Sequence, residues 1–299
     1  MTDVLVMGET LMDVIRTQDG SESRLPGGSA ANVAVALARL GRSVTLHTCL
    51  GDDTDGVAIT EWLAMSGVRV SITPVPRTAV AQATLDESGG ATYDFSIDWA
   101  PSQVVPSAGV LQFGSLGALL EPGAGAVREA VDRYRGRALV AFDPNVRPQL
   151  TPDREAARRS IEHFVAASDV VKLSTEDAAW LYPAMTPREV LDRWAETGPG
   201  LVVLTDGAEG AHAATARGER LLAAAPRVRV VDTIGAGDTF QGCLIDGLVG
   251  LGCTGAIARA RLDELDTDAL ESALRRAARA AAITVSRPGA DPPTASELR

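Results

Sequence analysis

Six short apolar runs, residues 4–7, 44–50, 110–113, 138–142, 170–173 and 201–204, recur between longer stretches of helical period. Strands separated by helices pair in parallel, because each crossover returns the chain to the same end of the sheet. The alternation therefore predicts a mostly parallel sheet covered by helices. Each run ends in small or polar groups: Gly8 and Glu9, Gly51 and Asp52, Gly114 and Ser115, Asp143 and Asn145, Ser174, then Thr205 and Gly207. Ligands of open parallel sheets bind outside the carboxyl ends of the strands, so function is expected among these residues. At 299 residues and 45% hydrophobic content, the chain can bury the core that one large α/β domain needs.

Residues 79–99 break the pattern. Tyr93, Phe95, Ile97 and Trp99 alternate with Thr92, Asp94, Ser96 and Asp98 after a Glu87-Ser88-Gly89-Gly90 turn, which predicts a β-hairpin with one apolar face. With residues 11–17 it could form a small sheet that projects from the domain and closes over a substrate. The alternative is that this face packs on the domain or on a second subunit.

Residues 232–240 read DTIGAGDTF, followed by a helical stripe of Phe240, Leu244 and Leu248 with Gly252 as a stop. Gly235, Ala236 and Gly237 thus fall at a helix N-terminus, where their backbone N–H groups can converge on an anion, with Asp238 beside the bound charge. The plainer reading makes Asp238 a first-turn acid complementing the helix dipole, and the glycines a tight turn. Far upstream, residues 26–41 read PGGSAANVAVALARLG, a Gly-Gly turn feeding a helix with Asn32 in its first turns.

The two strings, in this order, resemble the C-terminal and N-terminal motifs of the PfkB family, the ribokinase-like carbohydrate kinases. The resemblance spans the whole chain. It implies a ribokinase-like three-layer α/β/α fold, residues 1–299 as a single kinase domain, and a small β-sheet lid from approximately 10–25 and 70–105 that is also a dimer contact. It implies transfer of the γ-phosphate of ATP to a sugar hydroxyl. In that reading Asp238 is the catalytic base, and the Gly235, Ala236 and Gly237 amides form the anion hole. Asp13, Gly27, Gly28 and Asn32 bind the sugar; without the other motif, the last three read as a turn and a cap. The string FDPNVRP at 142–148 resembles the fructokinase branch, which places Arg147 near the phosphates and favours fructose as the acceptor. A surface arginine after a turn is the alternative.

KLSTED at 172–177 lies where the family has an Asn-x-x-Glu motif that organises magnesium. Here the positions are Ser174 and Asp177, and the shorter acid reads equally as a helix cap. LTDGAEGA at 204–211 resembles the nucleotide loop, with Thr205, Gly207 and Gly210 against the nucleotide; an edge hairpin turn is compatible. Asp232, the Ile234 carbonyl and the 286–290 segment, including Ser286 and Gly289, match a potassium site behind the anion hole.

A net charge of −11 argues against a partner with a phosphate backbone, so nucleic acid is not expected. Cys49, Cys243 and Cys253 show no metal spacing with His47, His163 or His212, and reduced thiols are expected. The first ten residues lack a basic leader and no apolar run reaches bilayer length, so neither a membrane nor export is expected and a cytoplasmic location is. No G-x-x-x-x-G-K-S/T string occurs, and Gly8-Glu9-Thr10 after the first strand is no dinucleotide fingerprint. Ribokinase, 2-keto-3-deoxygluconate kinase and nucleoside kinase activities remain alternatives within the fold, and a non-catalytic sugar or nucleotide sensor remains one outside it.

Overall fold

The structure is a computed structural model describing residues 2–16, 21–85, 91–103 and 105–299. Its strands are β1 (Thr2–Met7), β2 (Leu11–Arg16), β3 (Glu22–Gly27), β4 (Val44–Leu50), β5 (Arg69–Pro74), β6 (Ala79–Leu85), β7 (Ala91–Ser96), β8 (Ala108–Gly114), β9 (Leu139–Asp143), β10 (Val170–Ser174), β11 (Leu201–Thr205), β12 (Ala211–Thr215) and β13 (Arg220–Ala223). Its helices are α1 (Ser29–Arg39), α2 (Thr54–Met65), α3 (Ser115–Leu119), α4 (Gly123–Tyr134), α5 (Arg154–Ala167), α6 (Thr175–Leu181), α7 (Pro187–Ala195), α8 (Ala236–Gly250), α9 (Ala258–Glu264) and α10 (Thr267–Val285).

Nine strands form one sheet in the order β13-β12-β11-β10-β9-β8-β1-β4-β5, parallel from β11 to β5 and antiparallel at the β12 and β13 edge. Alternate side chains of a strand point to opposite faces, and that period builds the layers. Val4 and Val6 join the core shared with α1, α2, α8 and α10, whereas Leu5 and Met7 join the one shared with α4, α5, α6 and α7. On the second face Phe113 and Phe142 are in register and stack at 4.9 Å, with Phe164 of α5 edge-on to Phe113 at 5.1 Å. Truncating a ring so enclosed costs roughly 3–5 kcal/mol.

The strand order reverses beside β1, whose neighbours are β4 on one side and β8 on the other. A crevice opens outside the carboxyl ends of the strands at such a point. Glu9 follows β1 there, and Ser115 follows β8.

The small sheet has the order β3-β2-β6-β7. Met12 and Val14 pack into the main core, while Leu11, Ala79 and Ala81 form a separate cluster with Phe95 and Ile97. The expected 70–105 boundary needs correcting, because residues 69–74 pair with β4 on the edge of the main sheet. The Glu87-Ser88-Gly89-Gly90 turn lies outside the described residues. Trp99 leaves the hairpin altogether: it is buried, its indole N–H donates to the Gly117 carbonyl at 2.9 Å, and its ring fills the space over Gly123. Among the described residues no single helix is long and apolar enough to cross a membrane, and all three cysteines are free and buried.

Candidate active site

The turn before α8 is built by Gly235, whose φ of 73° is left-handed and whose absent Cβ leaves room for Ala290. The loop is tied down by Asp232, which accepts from the Ile234 amide at 3.0 Å and the Gly289 amide at 2.8 Å. These bonds, that from Ile234 foremost, hold its carboxyl below the usual range. The first amides of a helix have no intrahelical acceptor, and that of Ala236 makes only a 3.3 Å bond to the Thr233 carbonyl. Gly235 and Gly237 face the cleft beside it.

Asp238 stands in this first turn, 7% exposed, at the floor of a cleft of about 620 Å³. α1 supplies both of its side-chain partners. Ser29 Oγ donates to Oδ1 at 2.6 Å and Asn32 Nδ2 donates to Oδ2 at 2.8 Å. Ser29 in turn accepts from Asn145 Nδ2 at 2.8 Å, and Asn145 Oδ1 accepts from Arg147 at 2.7 Å. A continuous chain thus runs from Arg147 to the carboxylate, fixing its plane without blocking the face toward the cleft. Gly28, with φ of 104°, lets α1 start against the Glu9 carbonyl, where a Cβ would lie 2.9 Å away. Gly27 leaves space for the Asp13 carboxylate.

Asp13 lies on the lid strand β2 and lines the same cleft, together with Leu25, Ala81 and Phe95. Burial pushes its carboxyl up to about 6, opposed by the nearby Arg147 guanidinium. Glu9, which accepts from the Gly117 amide at 2.8 Å, is pushed by burial to about 7. Arg147 therefore sits on the acceptor side, among carboxylates, and lines only that cleft.

A second cleft, of about 690 Å³, is lined by Ser174, Thr205, Gly207 and Gly210 at the strand ends, and by Ala278, Ala282 and Val285 of α10. Gly210, at φ 101°, lets the turn between β11 and β12 pass against the Ala223 carbonyl, so the loop is an edge hairpin turn as well as a cleft wall.

Asp177 takes up the second of its two readings, that of a helix cap. Its Oδ1 accepts from the Val146 amide at 2.8 Å, and its Oδ2 accepts from the Ser174 amide and hydroxyl, both at 2.9 Å. It is the acid of a capping box that opens α6. Among the described residues no group of three His, Cys, Asp or Glu side chains could hold a metal ion. A magnesium ion here would be held chiefly by the nucleotide's phosphates and by water, ligands that this ion commonly keeps. Behind the anion hole, Asp232, Ile234, Ser286 and Gly289 offer one carboxylate and main-chain carbonyls, Ser286 Oγ being spent on the Ile283 carbonyl. Such hard oxygen donors fit an alkali cation better than a transition metal.

Ser29 and Lys172 escaped the sequence reading as site residues, and Asp143 and Asn145 were expected at the functional edge of the sheet without a role. Asp143 ends β9 and Lys172 lies on β10, both on the face turned to α8. They form a buried ion pair at 2.7 Å, side chains 2% and 4% exposed. Their signal was the strand-face parity, since 170 and 203 share the α8-side core while 171 and 173 point away.

Comparison with known proteins agrees with this geometry. The family profile described as pfkB family carbohydrate kinase matches residues 1–297. A fructokinase of Rhizobium leguminosarum bv. trifolii is 31% identical over 285 residues, covering 90% of this chain and 86% of its own. The crystal structure of a fructokinase from Xylella fastidiosa with bound ATP superposes with a TM-score of 0.86 at 28% identity, covering 99% of this chain and 96% of the other. That of a fructokinase double mutant from Vibrio cholerae O395, in a form binding fructose, ADP and potassium ion, gives 0.80 at 26% identity, covering 97% and 94%. With the profile running nearly end to end, and a glycine nest, a poised carboxylate and two adjoining clefts in place, the chain is an ATP-dependent sugar kinase belonging to the pfkB family of carbohydrate kinases.

Proposed function

We propose that this chain transfers the γ-phosphoryl group of ATP to a hydroxyl of fructose. The observation that carries the reading is the position of Asp238. It stands at the floor of the acceptor cleft, oriented by Ser29 and Asn32, with the α8 amides alongside. The acceptor hydroxyl gives its proton to Asp238 as the new O–P bond forms, and an ordinary carboxylate suffices because the hydroxyl becomes acidic only in that process. The amides at 235–237 stabilise the charge on the phosphoryl oxygens. Asp13 receives sugar hydroxyls from above, and the apolar lid around it excludes water that would otherwise take the phosphoryl group.

Magnesium arriving with the nucleotide would supply charge neutralisation of its phosphates. A potassium ion held by Asp232 and the carbonyls of Ile234, Ser286 and Gly289 would steady the nest from behind. Fructose is favoured by the names of the relatives and by the DPNVRP string, whose Arg147 faces the acceptor cleft. We further read the lid as the contact between two copies of the chain and place the enzyme in the cytoplasm, where ATP is made and free thiols persist. Neither nucleic acid nor a membrane enters this reading.

Coupled ADP release across fructose, ribose, 2-keto-3-deoxygluconate and adenosine, with and without potassium, tests the acceptor. Fructose should give the highest kcat/KM. Replacing Asp238 with Asn should leave ATP and sugar binding largely intact while turnover falls by several orders of magnitude; near-normal turnover in that variant would overturn the assignment of the base.

A further inference from the structure

The 28 lysine and arginine residues of the chain include one lysine, Lys172. Every other permanent cation is an arginine. The lone ammonium is neither on the surface nor at a rim: it is 3% exposed on β10. It lies against the anion hole, where a Cβ added to Gly237 would come 3.1 Å from Nζ.

The nucleotide and acceptor clefts have four lining residues in common, Asn145, Lys172, Thr233 and Gly237. A phosphoryl group crossing from one cleft to the other passes these four. Lys172 is the cation among them, since Arg147 lines the acceptor cleft alone and Arg227 the nucleotide cleft alone. An ammonium has three donors, and the hydrogen bond of Lys172 to Asp143 Oδ2 at 2.7 Å uses one. Asp143 keeps the charge in place: its other oxygen, Oδ1, is buried without a partner among the described residues, and the pairing holds the lysine protonated despite its burial.

We propose that Lys172 is a catalytic residue of the kinase, donating through its two remaining N–H bonds to the phosphoryl group in flight, with Asp143 as its positioning residue. This rests on the kinase reading. In the step, the acceptor oxygen forms its bond to Pγ and the bond from Pγ to the β,γ-bridging oxygen breaks, leaving its electron pair on ADP. The hydroxyl proton goes to Asp238. Lys172 keeps its own proton throughout and acts by charge and hydrogen bonding. A compact ammonium suits this place, because even a Cβ on Gly237 would come within 3.1 Å of Nζ.

Lys172→Met should lower kcat about 100- to 1,000-fold, the loss typical of one missing donor to transition-state charge. The calorimetric Kd values of ATP and fructose should stay within threefold. That single variant strands the Asp143 charge, so the double variant Lys172→Met with Asp143→Asn is measured beside it: thermal stability should recover and kcat should not. Recovery of kcat in the double variant, or a single variant within threefold of wild-type kcat, overturns the proposal and makes the pair structural. Having one lysine also permits a readout in unmutated protein. With 13Cε-lysine labelling, the single signal should shift on adding ADP, magnesium, aluminium fluoride and fructose, and stay put with fructose alone; an unmoved signal overturns the proposal. If the wild type phosphorylates no sugar at all, the kinase reading fails and takes this inference with it. If it does, only the role of Lys172 is at stake.

Discussion

Asp238 works because three side chains from two other elements hold it still. Ser29 at the first position of α1 donates to one carboxylate oxygen, and Asn145 after β9 holds Ser29 in turn. Replacing Ser29 with Ala leaves Asn32 as the side-chain donor, so the carboxylate can rotate away from the acceptor. Turnover should fall about tenfold, the price of roughly 1.4 kcal/mol in orientation. The KM values for sugar and ATP should change less than twofold in steady-state assays, because the Ser29 hydroxyl proton is already given to Asp238. A matching rise in sugar KM would mean that Ser29 binds the acceptor directly. Asp238, Asp13 and the glycines were legible because each lies in a short string whose spacing carries meaning. Ser29 and Lys172 were not, since a serine opening a helix reads as a cap and a lysine in a strand reads as a core edge. Only the convergence of residues 29, 172 and 238 from three elements, and of 145 from the loop after β9, reveals them.

At the scale of elements, α8 is placed by the glycine that precedes it. Gly235→Ala forces a left-handed backbone on a residue with a Cβ, costing roughly 1–2 kcal/mol, and drives that Cβ to 2.5 Å from the Ala290 Cβ. The turn should open and the amides lose their convergence. Turnover should drop at least tenfold with a lowered melting temperature, read by coupled assay and calorimetry on one preparation; unchanged kcat would mean the nest is not where phosphate binds. Elements with strong local signals were legible in the same way. The six apolar runs are all strands of the main sheet, and the stripe of Phe240, Leu244 and Leu248 is the buried side of α8. The strands that escaped have weak signals for physical reasons. β5 is an edge strand with an exposed alternation, and β12 reads AHAAT, rich in a residue with little intrinsic strand preference. Both are strands because of what they pair with. Trp99 continued an alternation that the chain abandons, because a buried slot beside Gly117 and Gly123 outweighs one more residue of hairpin.

The molecule as a whole carries its cleft at a cost in stability, and that cost depends on pH. Glu9 and Asp13 line the acceptor cleft and Asp143 is buried against Lys172, all three with carboxyls raised by burial, to about 7, about 6 and about 6. For Glu9, a folded value above the ordinary 4.5 means the folded chain holds the proton more tightly than the unfolded one. Below 4.5 both states are protonated and nothing is lost. Between 4.5 and about 7 the unfolded chain ionises first, so folding is progressively penalised, and above 7 the penalty is constant. His47 opposes this trend, since burial lowers its value and favours folding as pH rises. The whole stability curve therefore mixes signs, and the difference between Glu9→Gln and wild type isolates one group. Gln keeps a carbonyl to accept from the Gly117 amide, yet carries no titrating proton. The two proteins should melt at similar temperatures near pH 4.5. The variant should then gain on the wild type up to about pH 8, by an amount on the order of 3 kcal/mol. Melting curves that stay parallel across this range would show that Glu9 ionises as freely in the fold as in the open chain. In that case the junction of β1, β8 and the lid is wetter than its burial implies.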